Sequence, residues 1–216
     1  MGTEAKAKVF GPARSTCVAR VLVCLEEVGA EYELVHVHLP AGDHKALYFA
    51  LQPFGQVPAF QDGDLILFES RAISRYVLRK GASDLLRQRS LAEAAAVDAW
   101  LDAEAHNFDR AMSAITFQCF VVPMFMGGMT DQRVVEENLE KLKVALGVYE
   151  ERLTRFKYLA GDFISLADIS HCPMAHYLLA SPCASVLDAY LRVKAWVDGM
   201  MDQPSVKKVM ELMDAS

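Results

Sequence analysis

Apolar positions follow different periods in the first third of this chain and in the remainder. A short apolar run predicts a strand over about 6–10, an apolar face at helical spacing predicts a helix over 16–28, and strict alternation predicts a second strand over 32–39. Asp62-Gly63 separates two further apolar runs, which is a strong hairpin signal. Because another helix begins at about Ser70, the order is strand, helix, strand, loop or short helix, hairpin and helix.

Helical spacing dominates after residues 81–84, which have the composition of a linker. Long helices are predicted over about 88–119 and 131–155, with a break at 123–128 between them. The sequence Ser-Leu-Ala-Asp at 165–168 has the pattern of a capping box before an apolar helix, which is chiefly a folding device.

These patterns predict an α/β domain over 1–82, a linker over 83–89 and an all-helical domain over 90–216. The 216 residues are enough for two small domains with their own cores, and an apolar content of 53% indicates a folded protein. No stretch approaches the roughly 20 apolar residues of a membrane span, and the first residues have no apolar signal-peptide core. We therefore expect a cytosolic protein without a membrane partner.

Charge and the spacing of Cys and His exclude further classes of function. The net charge is −6 and no run of Lys or Arg occurs, so a nucleic-acid partner is not expected. Five cysteines without a C-x-x-C motif indicate neither a disulfide framework nor a thiolate zinc site. His36 and His38 alternate with apolar residues, which predicts that they face solvent from the second strand, and we expect no metal site.

Ser15 lies between the first predicted strand and the first predicted helix, at the expected N-cap. Unpaired N–H groups and a partial positive charge gather at a helix N-terminus, so a hydroxyl there could donate to an anion such as a thiolate. The simpler interpretation is that Ser15 only caps the helix, as most serines in this position do.

Three other segments have groups suited to a peptide-like ligand. A cis bond at Val57-Pro58 would turn the Val57 N–H and C=O outward, whereas a trans edge proline is the ordinary alternative. Glu69 and Ser70 could bind the ammonium and carboxylate of an α-amino acid, or they form an ordinary helix start. His44-Lys45 could meet a second carboxylate, or be a solvated pair.

Taken in order, these segments resemble the cytosolic glutathione transferases, most closely the plant phi class. The matching segments span nearly the whole chain: Phe10-Gly11-Pro12-Ala13-Arg14-Ser15-Thr16, Val18-Ala19-Arg20-Val21-Leu22, Pro53-Phe54-Gly55-Gln56-Val57-Pro58-Ala59-Phe60, Phe68-Glu69-Ser70-Arg71-Ala72-Ile73, and Tyr158-Leu159-Ala160-Gly161-Asp162-Phe163 through Ser165-Leu166-Ala167-Asp168. The resemblance implies a thioredoxin-like N-terminal domain, a helical C-terminal domain and a homodimer in which Phe54 docks into the partner.

The resemblance also implies the role of each site residue. It makes Ser15 the catalytic residue, with glutathione as co-substrate and no cofactor. The residues implied to bind glutathione are His44, Lys45, Gln56, Val57, Pro58, Glu69 and Ser70. The candidates for an apolar acceptor site between the domains are Arg14, Cys17, Ile115, Phe117, Cys119 and Phe120, although apolar helix positions such as the last four are often core.

The implied reaction is conjugation of the glutathione thiolate to an apolar electrophile, with reduction of organic hydroperoxides as a further activity. A free thiol has a pKa of about 8.5, and lowering it by one unit requires about 1.4 kcal/mol. One charge-assisted hydrogen bond from Ser15, of about 1.5–3 kcal/mol, is enough. A rival hypothesis is a ligandin that carries flavonoid-like apolar compounds without turnover. The presence of Ser15, Gln56, Glu69 and Ser70 favours the enzyme mildly.

Two positions depart from the phi pattern. Seven residues, 46–52, separate His44-Lys45 from Pro53 where the pattern usually has eight. Cys17 stands where Asn is common, two residues after Ser15. A thiol at the same helix N-terminus could form a mixed disulfide with glutathione, which makes thiol–disulfide exchange a third hypothesis.

Overall fold

The computed structural model describes residues 6–37 and 44–216, and of residues 44–47 only the backbone. Its contacts divide the chain into two compact units. The first comprises Met1–Asp84 together with Pro204–Ser216, and the second comprises Leu85–Gln203.

The first unit combines a four-stranded sheet with four helices among its described residues. Its elements are β1 (Ala7–Phe10), α1 (Thr16–Glu27), β2 (Tyr32–Val35), α2 (His44–Leu51), β3 (Ala59–Asp62), β4 (Leu65–Phe68), α3 (Ser70–Lys80) and, from the end of the chain, α11 (Pro204–Asp214). The strand order is β2-β1-β3-β4, with β1 parallel to β2 and antiparallel to β3. The predicted order of elements and the hairpin at Asp62-Gly63 are confirmed, and the fold is thioredoxin-like.

β2 is shorter than the alternation of apolar residues predicts. It ends at Val35, which pairs with the last residue of β1, Phe10. The Gly11 N–H donates to the Val35 carbonyl at 2.9 Å, and the chain then turns toward α1. Among the described residues, β1 therefore offers β2 no partner beyond Val35. His36 is exposed beyond the strand end, and His38 lies outside the described residues.

The second unit is helical throughout its regular elements. They are α4 (Leu91–Ala103), α5 (Asp109–Thr116), α6 (Val122–Phe125), α7 (Gln132–Arg152), α8 (Leu166–Ile169), α9 (Cys172–Ala180) and α10 (Leu191–Met201). Two π-helical turns, Glu104–Phe108 and Phe117–Val121, join α4 to α5 and α5 to α6. A 3₁₀ turn precedes α4 at Asp84–Leu86, and another precedes α10 at Ala184–Ala189.

The helix break predicted over 123–128 begins later than Pro123, because the helical run continues to Phe125. Proline has no N–H to donate to the carbonyl four residues earlier, and its ring crowds that carbonyl. The π-helical turn immediately before α6 widens the backbone at this place, so Pro123 is accommodated in the first turn of α6.

α11 packs with the first unit, whereas the sequence pattern assigned all of 90–216 to the helical domain. Val206 and Val209 are fully buried, Ser205 Oγ donates to Glu27 at 2.8 Å, and Lys208 Nζ lies 2.6 Å from Glu26. The cause lies in α1, whose residues from Val18 to Leu25 are all buried. A helix buried on every side needs packing partners all round, and α11 is one of the partners of α1.

Residues 6–37 and 44–216 contain neither a helix suited to a membrane crossing nor a side-chain cluster suited to a metal ion. None of the helices there combines the length and apolarity that a membrane crossing requires. No group of three or more His, Cys, Asp or Glu side chains in these ranges is arranged to hold a metal ion.

Candidate active site

Strand register brings three loop segments to one end of the sheet. Phe10, the last residue of β1, pairs with Ala59, the first residue of β3, and Ala59 also pairs with Phe68, the last residue of β4. The segments after β1, before β3 and after β4 therefore leave the sheet at the same end. Ser15, Val57 and Glu69 lie on these three segments, so the fold of one unit brings the predicted residues together.

Ser15 is the N-cap residue of α1, as predicted, but its side chain does not act as a cap. Its backbone is extended (φ −70°, ψ 123°), and its carbonyl accepts the first helical bond from Ala19 at 2.8 Å. Within the part of the chain that the structure describes, Ser15 Oγ makes no capping hydrogen bond. The half-buried hydroxyl is therefore available to a ligand at the positive end of the helix dipole.

Gly11 holds the loop before Ser15 close to the segment before β3. Its φ is +143°, and a Cβ at this position would lie 2.7 Å from Val18 Cγ2 and 3.0 Å from Val57 Cβ. A side chain here would collide with the side chains of Val18 and Val57, so glycine is required by both conformation and space.

The Val57–Pro58 peptide bond is cis. The loop before it is fixed from inside the unit, because Tyr48 Oη donates to the Gln56 carbonyl at 2.6 Å. Burial raises the pKa of Tyr48 to about 12, so this hydroxyl keeps its proton and remains a donor. Buried Gln52 supports the same loop by accepting the Phe54 N–H at 2.7 Å.

Glu69 and Ser70 form the start of α3 and differ sharply in exposure. Glu69 is exposed and has a φ of +69°, which is a strained backbone for a residue other than glycine. Ser70 is buried, and its hydroxyl accepts a hydrogen bond of 2.9 Å from Arg20 Nη1. An exposed carboxylate therefore lies next to a helix N-terminus, and these two groups favour ligand charges of opposite sign.

Arg20 is a buried cation beneath this end of the sheet, and sequence analysis gave it no role. Its side chain is only 1% exposed, and the same Nη1 that reaches Ser70 lies 3.7 Å from Cys17 Sγ. The sequence does contain a sign that Arg20 is buried. Its neighbours on both sides, Val18-Ala19 and Val21-Leu22, are apolar. A charge inside such a run is buried and must be paired, so it marks a polar connection.

Together, two helices direct their N-termini to this end of the sheet, α1 at Ser15 and α3 at Ser70. Each N-terminus favours an anion. With Arg20 below and the backbone polar groups of Val57 beside it, the arrangement can hold an extended ligand with a carboxylate and stabilise a thiolate near Ser15.

The remaining predicted residues fall into three groups. Arg14 is exposed and Cys17 is half-buried, both beside Ser15 in the first unit. The side chains of His44 and Lys45 lie outside the described residues. In the second unit Phe117 is exposed and Cys119 and Phe120 are half-buried: all three belong to the π-helical turn before α6.

Ile115 departs from the predicted acceptor set because it is completely buried inside the helical unit. It lies on α5 among other core residues, so its side chain fills the interior and offers no surface to a ligand in this structure.

Models of two families match the chain in sequence. The glutathione S-transferase N-terminal domain matches residues 5–79, and the glutathione S-transferase C-terminal domain matches residues 110–204. Both domains occur in the order that the motifs of the sequence predict.

Individual plant proteins are similar over almost the full length. Probable glutathione S-transferase GSTF1 of Oryza sativa subsp. japonica is 53% identical over 95% of this chain and 96% of its own. Glutathione S-transferase 1 of Zea mays is 52% identical, over 97% and 98%. The solved structure of glutathione S-transferase I from maize in complex with an atrazine glutathione conjugate is 52% identical, covers 98% of this chain and 100% of its own, and has a TM-score of 0.93. The chain therefore belongs to the glutathione S-transferase family, and within it to the plant phi class.

Proposed function

We propose that this enzyme conjugates the glutathione thiolate to electrophilic apolar compounds. The observation that carries the proposal is the Ser15 hydroxyl, which lies at the N-terminus of α1 and is not used to cap it. A donor there stabilises a thiolate more than the protonated thiol, and so lowers the thiol pKa. The similar maize enzyme, solved with an atrazine glutathione conjugate, supports the same reaction here.

Each end of glutathione is assigned to groups at the same end of the sheet. The backbone N–H and C=O of Val57 pair with the cysteinyl backbone, beside Gln56 and Pro58. Glu69 binds the γ-glutamyl ammonium group, and Ser70 binds its carboxylate. His44-Lys45 is proposed for the glycine carboxylate on the strength of the family motif alone.

The thiolate attacks an electrophilic carbon of the acceptor, or the oxygen of an organic hydroperoxide. Arg14, Cys17, Phe117, Cys119 and Phe120 are the proposed acceptor contacts. A carrier without turnover is not favoured, since the similar proteins are named as transferases and Ser15 is present.

The protein is also proposed to be a cytosolic homodimer. Val144 and Val148 of α7 are exposed apolar residues along a groove of the helical unit that Trp100 also lines, and Phe54 of the first unit is exposed too. Such surfaces are expected where a second copy packs. All five cysteines are free thiols, as expected where glutathione keeps thiols reduced.

Replacing the Ser15 hydroxyl tests the mechanism. Ser15→Ala removes one charge-assisted hydrogen bond to the thiolate, so turnover of an activated aryl halide should fall by about 10- to 100-fold. Binding of glutathione, measured by calorimetry, should change little. The pKa of bound glutathione, followed by thiolate absorbance, should rise by one to two units on the same basis of about 1.4 kcal/mol per unit.

Ser90→Ala is the matched control, because Ser90 Oγ does cap α4 by accepting the Glu93 N–H at 3.3 Å. This change should lower the free energy of unfolding by about 1 kcal/mol and leave turnover intact. Full turnover in Ser15→Ala would refute the mechanism.

A further inference from the structure

The segment between α2 and β3 is held by side chains that α2 supplies. Tyr48 lies in the middle of α2 (His44–Leu51), and its side chain is only 6% exposed. Its hydroxyl donates to the Gln56 carbonyl at 2.6 Å, across eight positions of the chain. This bond is short for a hydroxyl donor, whose usual separation from an oxygen acceptor is about 2.7–2.8 Å. The phenol therefore fixes the direction in which one particular carbonyl of the segment points.

Two further contacts restrict the same segment. The Gln52 N–H donates to the Tyr48 carbonyl at 2.9 Å, and the Gln52 side chain accepts the Phe54 N–H at 2.7 Å. The ring of Phe49 lies against Gly55, where an added Cβ would be 2.8 Å from the ring atom Cζ. The segment is thus tied to α2 at its start, its middle and its end, so the Tyr48 bond acts on an ordered backbone.

The Gln56 carbonyl and the Val57 N–H belong to one planar peptide unit. This peptide bond is trans, so the carbonyl and the N–H point in opposite directions. When Tyr48 holds the Gln56 carbonyl, it also directs the Val57 N–H away from the phenol. Within residues 6–37 and 44–216 the Val57 N–H makes no hydrogen bond, although Val57 is half-buried. A half-buried backbone donor of this kind is one that a ligand can satisfy.

We propose that Tyr48 is a positioning residue for glutathione. Through the Gln56 carbonyl, its hydroxyl aims the Val57 N–H at the cysteinyl carbonyl and so sets the place of the thiol beside Ser15. The inference rests on the proposed function, in which Val57 is assigned to the cysteinyl backbone. Tyr48 acts only through the backbone, and no contact with the tripeptide is assigned to it.

This role has a distinct kinetic signature. The cysteinyl backbone does not react, so its pairing with Val57 is the same in the bound complex and in the transition state. An interaction of that kind lowers KM and leaves kcat nearly unchanged. The Ser15 hydroxyl has a different signature, because it stabilises the thiolate, which is the reacting form.

The test removes only the phenolic oxygen, with Tyr48→Phe. Steady-state kinetics should show a KM for glutathione raised by about three- to tenfold, the equivalent of one neutral hydrogen bond, and a kcat within about twofold of the wild type. Calorimetry with S-methylglutathione, which has no ionisable thiol, should show an affinity lowered by the same factor. Ser15→Ala should bind S-methylglutathione like the wild type, so the two variants separate backbone placement from thiolate stabilisation.

Tyr32→Phe is the matched control. Tyr32 also donates its phenolic proton, to Glu26 at 2.8 Å, but it pairs with Ala7 at the opposite end of β1 from Phe10. Loss of this hydroxyl should leave KM, kcat and the affinity for S-methylglutathione within about twofold of the wild type.

Hydrogen exchange gives a second readout, on the Val57 amide itself. In the wild type, S-methylglutathione should slow exchange of this amide by about tenfold or more, because the bound tripeptide accepts a hydrogen bond from it. In Tyr48→Phe, saturated with the same compound, the protection should be smaller, since the N–H is no longer held toward the ligand.

An affinity for S-methylglutathione in Tyr48→Phe equal to that of the wild type would overturn the inference and leave the proposed function standing. An equally large loss in Tyr32→Phe would overturn it too, because the effect would then not depend on the Gln56 carbonyl. Absence of protection at Val57 in the wild-type complex would also overturn it, and this measurement needs no variant to fold. If the wild type did not bind S-methylglutathione at all, the proposed function itself would fail.

Discussion

Arg20 places a full charge inside an apolar stretch of α1. Burying a cation costs several kcal/mol unless its donors are satisfied, and here one donor is used on the Ser70 hydroxyl, fifty positions along the chain. Because the Ser70 oxygen accepts this bond, its hydroxyl proton remains able to donate to a ligand. Arg20 is therefore a positioning residue for the proposed glutamyl site.

Arg20→Lys should weaken glutathione binding while it preserves the charge. The ammonium group is a point charge on a different stem and cannot reproduce the geometry of the guanidinium donors. Loss of one charged hydrogen bond, of about 1.5–3 kcal/mol, predicts a KM for glutathione raised by about tenfold or more, with a smaller change in kcat. Steady-state kinetics with varied glutathione measure this.

Arg79→Lys serves as the comparison, because Arg79 is an exposed residue in the last turn of the same helix that Ser70 begins. Its kinetic constants should match those of the wild type. An unchanged KM in Arg20→Lys would mean that Ser70 does not depend on the guanidinium.

The sequence locates Ser15 correctly but leaves open whether its hydroxyl caps the helix. A serine before a helix has the same sequence signature whether its hydroxyl caps or stays available, so only the geometry distinguishes Ser15 from Ser90. The bond between Arg20 and Ser70 is likewise invisible to local patterns, since it joins two helices. Local patterns do locate both residues, because the strand and helix ends depend on neighbouring residues.

At the scale of elements, one buried carboxylate joins three parts of the helical unit. Asp168, in the first turn of α8, accepts the Ser165 N–H at 2.9 Å and the Ser165 hydroxyl at 2.7 Å. It also accepts the Leu159 N–H at 3.0 Å and Trp196 Nε1 of α10 at 3.1 Å. The sequence predicts the local contact, while the contact with α10 arises only in the tertiary structure.

Asp168→Ala should destabilise the protein strongly. The change leaves the buried N–H groups of Leu159, Ser165 and Trp196 without an acceptor, and each such donor costs about 1–3 kcal/mol. A loss of about 3 kcal/mol or more in the free energy of unfolding is expected from urea titrations followed by tryptophan fluorescence, since Trp196 is a direct partner of the carboxylate.

Asp162→Ala provides the contrast, because exposed Asp162 accepts the Lys157 N–H at 2.9 Å where water can replace it. Its cost should stay near 1 kcal/mol or below. Similar losses in both variants would show that Asp168 acts only as a local cap.

Helices and the hairpin can be predicted where neighbouring residues alone define the apolar pattern, as in α1, α3 and β3–β4. The end of β2 and the start of the break over 123–128 cannot, because they depend on a neighbouring strand and on a π-helical turn. Periodicity says that α11 is an amphipathic helix, but it does not say which unit covers its apolar face.

On the scale of the whole molecule, α11 contributes buried side chains to the core of the first unit, which also holds the candidate active site. Met213 is 4% exposed, whereas its neighbour Leu212 is 38% exposed. Met213→Ala should therefore reduce the free energy of unfolding by about 2–5 kcal/mol, the range for a buried methionine. Leu212→Ala should cost under about 1 kcal/mol.

Hydrogen exchange of the α1 amides is the suitable measurement, because both tryptophans, Trp100 and Trp196, belong to the other unit. Exchange in α1 should accelerate in Met213→Ala and stay close to the wild-type rate in Leu212→Ala. Acceleration confined to α10 in Met213→Ala would contradict the placement of α11.

Because α11 belongs to the first unit but lies at the end of the chain, the first unit cannot finish folding until the whole chain has been synthesised. Residues up to Asp84 emerge early, but Pro204 follows 120 residues later, which at about 5–20 residues per second is a delay of roughly 6–24 s. Through that interval α1 lacks one of its covering helices, so the first unit reaches its final packing only after the helical unit has been made. Any attempt to produce the first unit alone must therefore carry the last helix with it, as a fused or separately supplied segment.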